Sequence, residues 1–80
     1  GRGSLKSPET VCYEVFREIL RESRAYESKR LLVLASQEVV DRLIDEESAN
    51  VADLEEFIGA SIRFQVEAVY TQEQYDVVLL

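Results

Sequence analysis

The apolar positions of this chain follow one spacing at first and then another. Val11, Cys12, Val15, Phe16, Ile19 and Leu20 recur at helical intervals, with Glu14, Arg17, Glu18, Arg21 and Glu22 on the opposite side. Ser7-Pro8-Glu9 supplies the start signal: a capping hydroxyl, a proline whose missing N–H costs nothing at the first helical position, and an acid at the positive end of the dipole. The pattern predicts an amphipathic helix running to about Tyr26. Leu31 to Ala35 is then apolar without alternation, as expected of a short strand buried on both faces.

Ser36 is placed to cap a second helix with Val39, Val40, Leu43 and Ile44 inward, and Asp45-Glu46-Glu47 closes it. Asn50 and Asp53, spaced like a capping box, predict the start of a third helix with Val51, Leu54, Phe57 and Ile58 inward and Gly59 as its left-handed stop. Ile62, Phe64 and Val66 alternate with Arg63, Gln65 and Glu67, the pattern of a strand with one dry and one wet face. A last buried-type strand covers Tyr75 to Leu80. Thr71 to Gln74 is the expected turn of a hairpin between these two strands, although no Asn-Gly or Asp-Gly marks it.

The order α-β-α-α-β-β predicts an α+β fold, three helices packed on a small three-stranded sheet, in one domain over residues 1–80 with residues 1–7 as a lead-in. Strand order stays open, because a hairpin of the last two strands leaves the first free to pair with either. Helices can cover one face of such a sheet, yet two strands read as apolar on both. Val77, Val78, Leu79 and Leu80 are therefore candidates for an interface strand that packs against more protein. The alternative is that these side chains pack within the twisted sheet and its ends.

Charge narrows the function. The net charge is -7, but residues 1–30 carry +2 and residues 31–80 carry -9, so only the first third offers a face to a polyanion. The single cysteine, Cys12, excludes an internal disulfide and points to a reducing, cytoplasmic setting. It sits on the apolar side of its helix, as a small core residue rather than a nucleophile. There is no histidine, so Ser4, Ser36 and Ser61 have no such base to activate them and the commonest zinc ligand is missing. Asp45-Glu46-Glu47 lacks the spacing that surrounds calcium and reads as a solvated acidic loop. No metal or cofactor site is expected, and no apolar run is long enough to cross a bilayer. A core of this size is expected to give a stability of roughly 5 kcal/mol.

The β-α-α-β order over residues 30–70 is that of a KH module, which holds RNA phosphates with a Gly-x-x-Gly loop between its helices. Here that loop has three acids and no glycine, so a KH-like topology would lack the grip. Arg17, Arg21 and Arg24 form a stripe at i, i+4 and i+7, a candidate contact for RNA or an acidic partner; paired with Glu14, Glu18 and Glu22 it is instead a solvated face.

Three stretches together, GRGSLKSPETVCYEVFREI, LLVLASQEVVDRL followed by DEES, and QEQYDVVLL, resemble the C-terminal end of bacterial enzymes of the ribonuclease E/G family. The resemblance covers essentially the whole chain, and its first and last stretches are the specific ones. In that family a Gly-Arg-Gly-Ser run follows a Cys-Pro-x-Cys zinc link, so residues 1–4 are taken as native. The resemblance implies a parent endoribonuclease that cleaves single-stranded RNA with magnesium-activated water, in ribosomal RNA maturation and RNA turnover. The RNA-binding S1 domain, the pocket sensing the RNA 5′ end, the magnesium-binding aspartates and the zinc-link cysteines of the family all lie upstream, so its functional residues carry over to no position here. What remains implies an inactive small domain that holds subunits together or braces the nuclease core, and meets RNA only through its parent. A stand-alone KH-like RNA-binding adaptor, marked by steeply salt-dependent RNA affinity, and a purely structural dimerisation module are the alternatives.

Overall fold

In a computed structural model the described residues are 6–80, so the Gly1–Ser4 run and Arg2 lie outside them. The elements are α1 (Pro8–Ala25), β1 (Arg30–Ala35), α2 (Gln37–Ile44), α3 (Ser48–Ile58), β2 (Ser61–Val66) and β3 (Tyr75–Leu79). Their order and the α+β class are as the pattern predicted. Ser7 caps α1 by accepting a hydrogen bond from the Thr10 amide at 3.2 Å, and Ser36 caps α2 from the Val39 amide. Gly59 ends α3 at φ 69°, with its N–H donated to the Glu55 carbonyl at 2.9 Å. A left-handed residue there lets the chain turn straight into β2.

The expected hairpin does not form. The sheet order is β2-β1-β3, with β1 parallel to β2 and antiparallel to β3. Residues 71–74 do make a turn, closed by the Gln74 amide on the Thr71 carbonyl at 3.1 Å. That turn belongs to a connection over residues 67–74 that passes across the end of β1 before β3 begins. The reason lies in the apolar run of β1. Leu31 to Ala35 is apolar at every position and can be flanked on both sides, so the central position suits it, while β2 with its polar alternation and β3 with Asp76 in its outer row become the edges.

Helices cover one face of this sheet. Leu31, Val33 and Ala35 of β1 and Ile62 of β2 pack against Val11, Cys12, Val15 and Ile19 of α1, Val39 and Leu43 of α2, and Val51 and Leu54 of α3 in one core. Burying a side chain such as Leu31 or Ile19 contributes roughly 1.5–3 kcal/mol each against a large entropy cost.

Three sequence expectations are corrected here. Glu47, not Asn50, is the residue before α3, which starts at Ser48; its side chain makes no capping bond, and Asn50 instead donates to Glu47 Oε1 at 2.7 Å. Ile44 and Phe57 do not point inward, being 59% and 76% exposed. Helical periodicity puts both on an apolar stripe, but α2 and α3 are rotated so that Leu43 and Leu54 take the core.

Candidate interaction surfaces

The features of the described residues that could carry a function are surfaces of the fold. Among the described residues no group of three or more Asp, Glu or Cys side chains converges to hold a metal ion. Cys12 is fully buried, 3.8 Å from the Val39 carbonyl, and burial pushes its thiol up to about 11. A thiol so held stays protonated and unreactive at neutral pH.

The second face of the sheet is uncovered. Cross-strand register sets Arg63, Leu32 and Val78 in one row and Gln65, Leu34 and Asp76 in the next, all on the side away from the helices. Leu80 joins them beside Arg30, to whose carbonyl its amide donates at 2.9 Å. Leu32 and Leu34 are half-buried by their neighbours, while Val78 and Leu80 are 37% and 59% exposed. The four make an apolar stripe. Charge is split along it: Arg30 and Arg63 stand at one end, and Asp76 and Glu67 at the other. Tyr70 fixes the acidic end by donating its hydroxyl to Asp76 Oδ2 at 2.6 Å, a bond that holds the phenol above its ordinary value.

Of the predicted interface strand, then, only alternate residues belong to this face. Val78 and Leu80 lie on it, whereas Val77 and Leu79 turn toward the helices and pack on the core. The strand is not apolar on both sides along its length, because Asp76 breaks the outer row.

Arg17, Arg21 and Arg24 are exposed along the outside of α1, as the stripe predicted. With Glu14, Glu18 and Tyr75 they line a shallow groove of about 720 Å³. Arg21 Nη2 meets Glu18 Oε2 at 3.2 Å. Glu14 is engaged elsewhere, by Lys6 Nζ at 2.8 Å. Arg17 and Arg24 have no carboxylate within ion-pair distance among the described residues, so the stripe is only partly neutralised. Lys6 is more than a lead-in, since its backbone also bonds the side chains of Gln72 and Glu73.

The acidic turn between α2 and α3 differs from its expected solvated form. Asp45 and Glu46 are exposed, but Glu47 is only 4% exposed. Its Oε2 lies 3.2 Å from Arg42 Nη2, and Arg42 also reaches Glu46 at 3.0 Å and Glu9 of α1 at 3.7 Å. One guanidinium thus ties the ends of three helices together. No local pattern singles out Glu47 among three consecutive acids; only Arg42, five residues before it on the preceding helix, hints at the pair. With no glycine and three acids that have only the one Arg42 guanidinium between them, Asp45 having no ion pair among the described residues, this turn repels phosphate.

A last surface has no counterpart in the sequence expectations, which place Phe57 inward. Tyr13, Phe16 and Leu20 of α1 and Leu54 and Phe57 of α3 line an apolar groove of about 450 Å³ between the two helices. The Tyr13 and Phe16 rings are 6.3 Å apart, and the Tyr13 hydroxyl donates to Glu9 at 3.0 Å. No helix among the described residues is long and apolar enough to cross a membrane.

No protein-family model matches the chain. Individual relatives do. Ribonuclease G of Escherichia coli strain K12 is 50% identical over 80 residues, the whole of this chain and 16% of that protein. Ribonuclease G of Salmonella typhimurium is 51% identical over the same length, and that of Haemophilus influenzae 44% over 81 residues. The chain spans 16% of the length of each of these relatives. From end to end, these residues are similar to one small segment of ribonuclease G.

Proposed function

We propose that this chain is the C-terminal assembly segment of an endoribonuclease of the ribonuclease E/G family. The whole enzyme would cut single-stranded RNA in the cytoplasm, in ribosomal RNA maturation and RNA turnover, with magnesium and the zinc link supplied by residues upstream of these 80. The segment itself would be inactive. Its task would be to hold a second subunit or the nuclease core, and RNA would meet it only through the parent.

The observation that carries this reading is the uncovered sheet face. An apolar stripe of Leu32, Leu34, Val78 and Leu80 with a basic end and an acidic end is complementary to itself. A two-fold contact that runs the stripes in opposite directions sets Arg30 and Arg63 against Glu67 and Asp76 of the other copy, and leucines against leucines. The acidic turn between α2 and α3 weighs against a KH-like grip on RNA.

Light scattering on the 80 residues from micromolar to millimolar concentration tests the role. A dimer that tightens with concentration and is lost in Val78→Asp assigns the face to self-association. A monomer at all concentrations assigns the face to the nuclease core, to be checked by adding that core as a separate chain. If neither the second copy nor the core binds, the assembly role is wrong. Magnesium-dependent RNA cleavage by the purified segment would overturn its inactivity.

A further inference from the structure

The groove between α1 and α3 lies on the helical side of the molecule, away from the sheet face, and the assembly role makes no use of it. Its floor is Phe16, Leu20 and Leu54, and its walls are Tyr13 and Phe57. Phe57 is 76% and Tyr13 46% exposed. Two aromatic walls over a floor of one phenylalanine and two leucines make a contiguous apolar surface of the kind that marks a docking site rather than a scattered exposed residue.

The residues that flank the groove carry opposite charge, apart from Glu9, which accepts from the Tyr13 hydroxyl on the α1 side. On the α1 side Arg17 stands one helical turn from both Tyr13 and Leu20, and Arg24 one turn beyond Leu20. Neither has a carboxylate in ion-pair reach among the described residues. On the α3 side Asp53 lines the groove and Glu56 follows it at i+3. Tyr13 to Leu20 covers about two turns, or roughly 10 Å of helix axis. That length suits a partner that buries side chains at i, i+3 or i+4, and i+7.

From these features we infer that the groove receives an amphipathic helix of a partner protein, with acidic residues on the flank facing Arg17 and Arg24 and basic residues on the flank facing Asp53 and Glu56. Reversing the direction of such a helix exchanges its flanks, so the two rims fix one polarity. Single-stranded RNA could stack on Tyr13 and Phe57, but Asp53 and Glu56 border the aromatic wall and oppose phosphate. A second copy of α1 or α3 lacks the required pattern, since neither helix shows an unused apolar stripe outside the groove itself.

The probe is a side-chain-stapled helical peptide of about 14 residues, with leucines at the three anchor spacings, Glu along one flank and Lys along the other. Two controls carry Lys on both flanks or Glu on both. Binding is followed by peptide fluorescence anisotropy and by the amide shifts of the 80-residue chain. The mixed-flank peptide is expected to bind saturably and more tightly than either control, with shifts centred on Tyr13, Leu20 and Phe57. Phe57→Ser should weaken it roughly tenfold or more without loss of fold, as a truncated aromatic anchor does. Arg17→Glu with Arg24→Glu should transfer the preference to the all-Lys peptide. Equal binding of the three peptides, no saturable binding, or an unchanged affinity in Phe57→Ser overturns the inference. So does self-association abolished by Phe57→Ser, which would make a second copy the occupant, or oligouridylate binding abolished by it, which would make the occupant RNA. Each of these outcomes leaves the Val78→Asp test of the sheet face standing.

Discussion

Replacing Glu47 by Gln removes one charge from a buried contact while keeping its volume and the oxygen that Asn50 bonds. Glu47 is 4% exposed and bonded to Arg42 at 3.2 Å, and a hydrogen bond between charged groups contributes roughly 1.5–3 kcal/mol net. Gln retains a neutral version of that bond and Arg42 keeps Glu46 and Glu9, so the loss should fall near the bottom of that range, about 1.5–2 kcal/mol. Against a total of roughly 5 kcal/mol that is a third of the stability. With a urea slope of about 1 kcal/mol/M for a chain this small, the midpoint should drop by about 1.5–2 M.

The neighbouring acids supply the control. Asp45 is exposed without an ion-pair partner among the described residues, and Glu46 meets Arg42 with its side chain 63% exposed. Asp45→Asn and Glu46→Gln should each move stability by no more than about 0.5 kcal/mol. Urea unfolding followed by circular dichroism measures all three side by side. If Glu47→Gln shifts the midpoint no further than Glu46→Gln, the buried pair does not anchor the helix ends and the account is wrong. A double replacement, Arg42→Met with Glu47→Leu, should recover part of the loss, because removing both charges leaves no buried ion without a partner.

Two further outcomes follow from single residues. Gly59→Ala should cost about 1 kcal/mol, since φ is 69° and nothing lies within 4 Å of the added Cβ, so the penalty is backbone conformation alone; a thermal melt with unchanged midpoint would contradict this. Cys12 is held protonated up to about 11 when folded, against 9.0 when free, so the unfolded chain releases this proton first and stability falls as pH rises from about 9 to 11. The loss through this group alone is about 2–3 kcal/mol, and Cys12→Ala should flatten that part of the profile; parallel profiles for the two proteins would refute the assignment.

Local chemistry made the element order readable. Ser7-Pro8-Glu9, Ser36 and Gly59 each did in the fold what their residue types predict, because capping and left-handed stops depend on a few adjacent atoms. Strand order was not readable in the same way. It depends on which strand can tolerate two neighbours, and although the unbroken run Leu31–Ala35 suits the central position, no local signal forbids the hairpin that would place it at an edge. Ile44, Phe57 and Glu47 went astray for a related reason. A period of 3.6 fixes which residues share a stripe, but the edges of the stripe are assigned to core or solvent by the neighbouring element, and three like charges in a row are told apart only by a cation from elsewhere in the fold.

The placement of these residues has a consequence for assembly. Each helix must spend one face on the sheet, so any apolar residue at the margin of that face is left at a seam between helices; Phe57 is such a residue, and Tyr13 lines the same seam from α1. The sheet, by contrast, has its helices all on one side, which leaves Leu32 and Val78 facing outward on the other. The two sticky surfaces are therefore divided by the core itself and share no side chain. A contact on the sheet face and a helix in the α1–α3 groove can be held at once without competing, and one can be removed by mutation while the other stays intact.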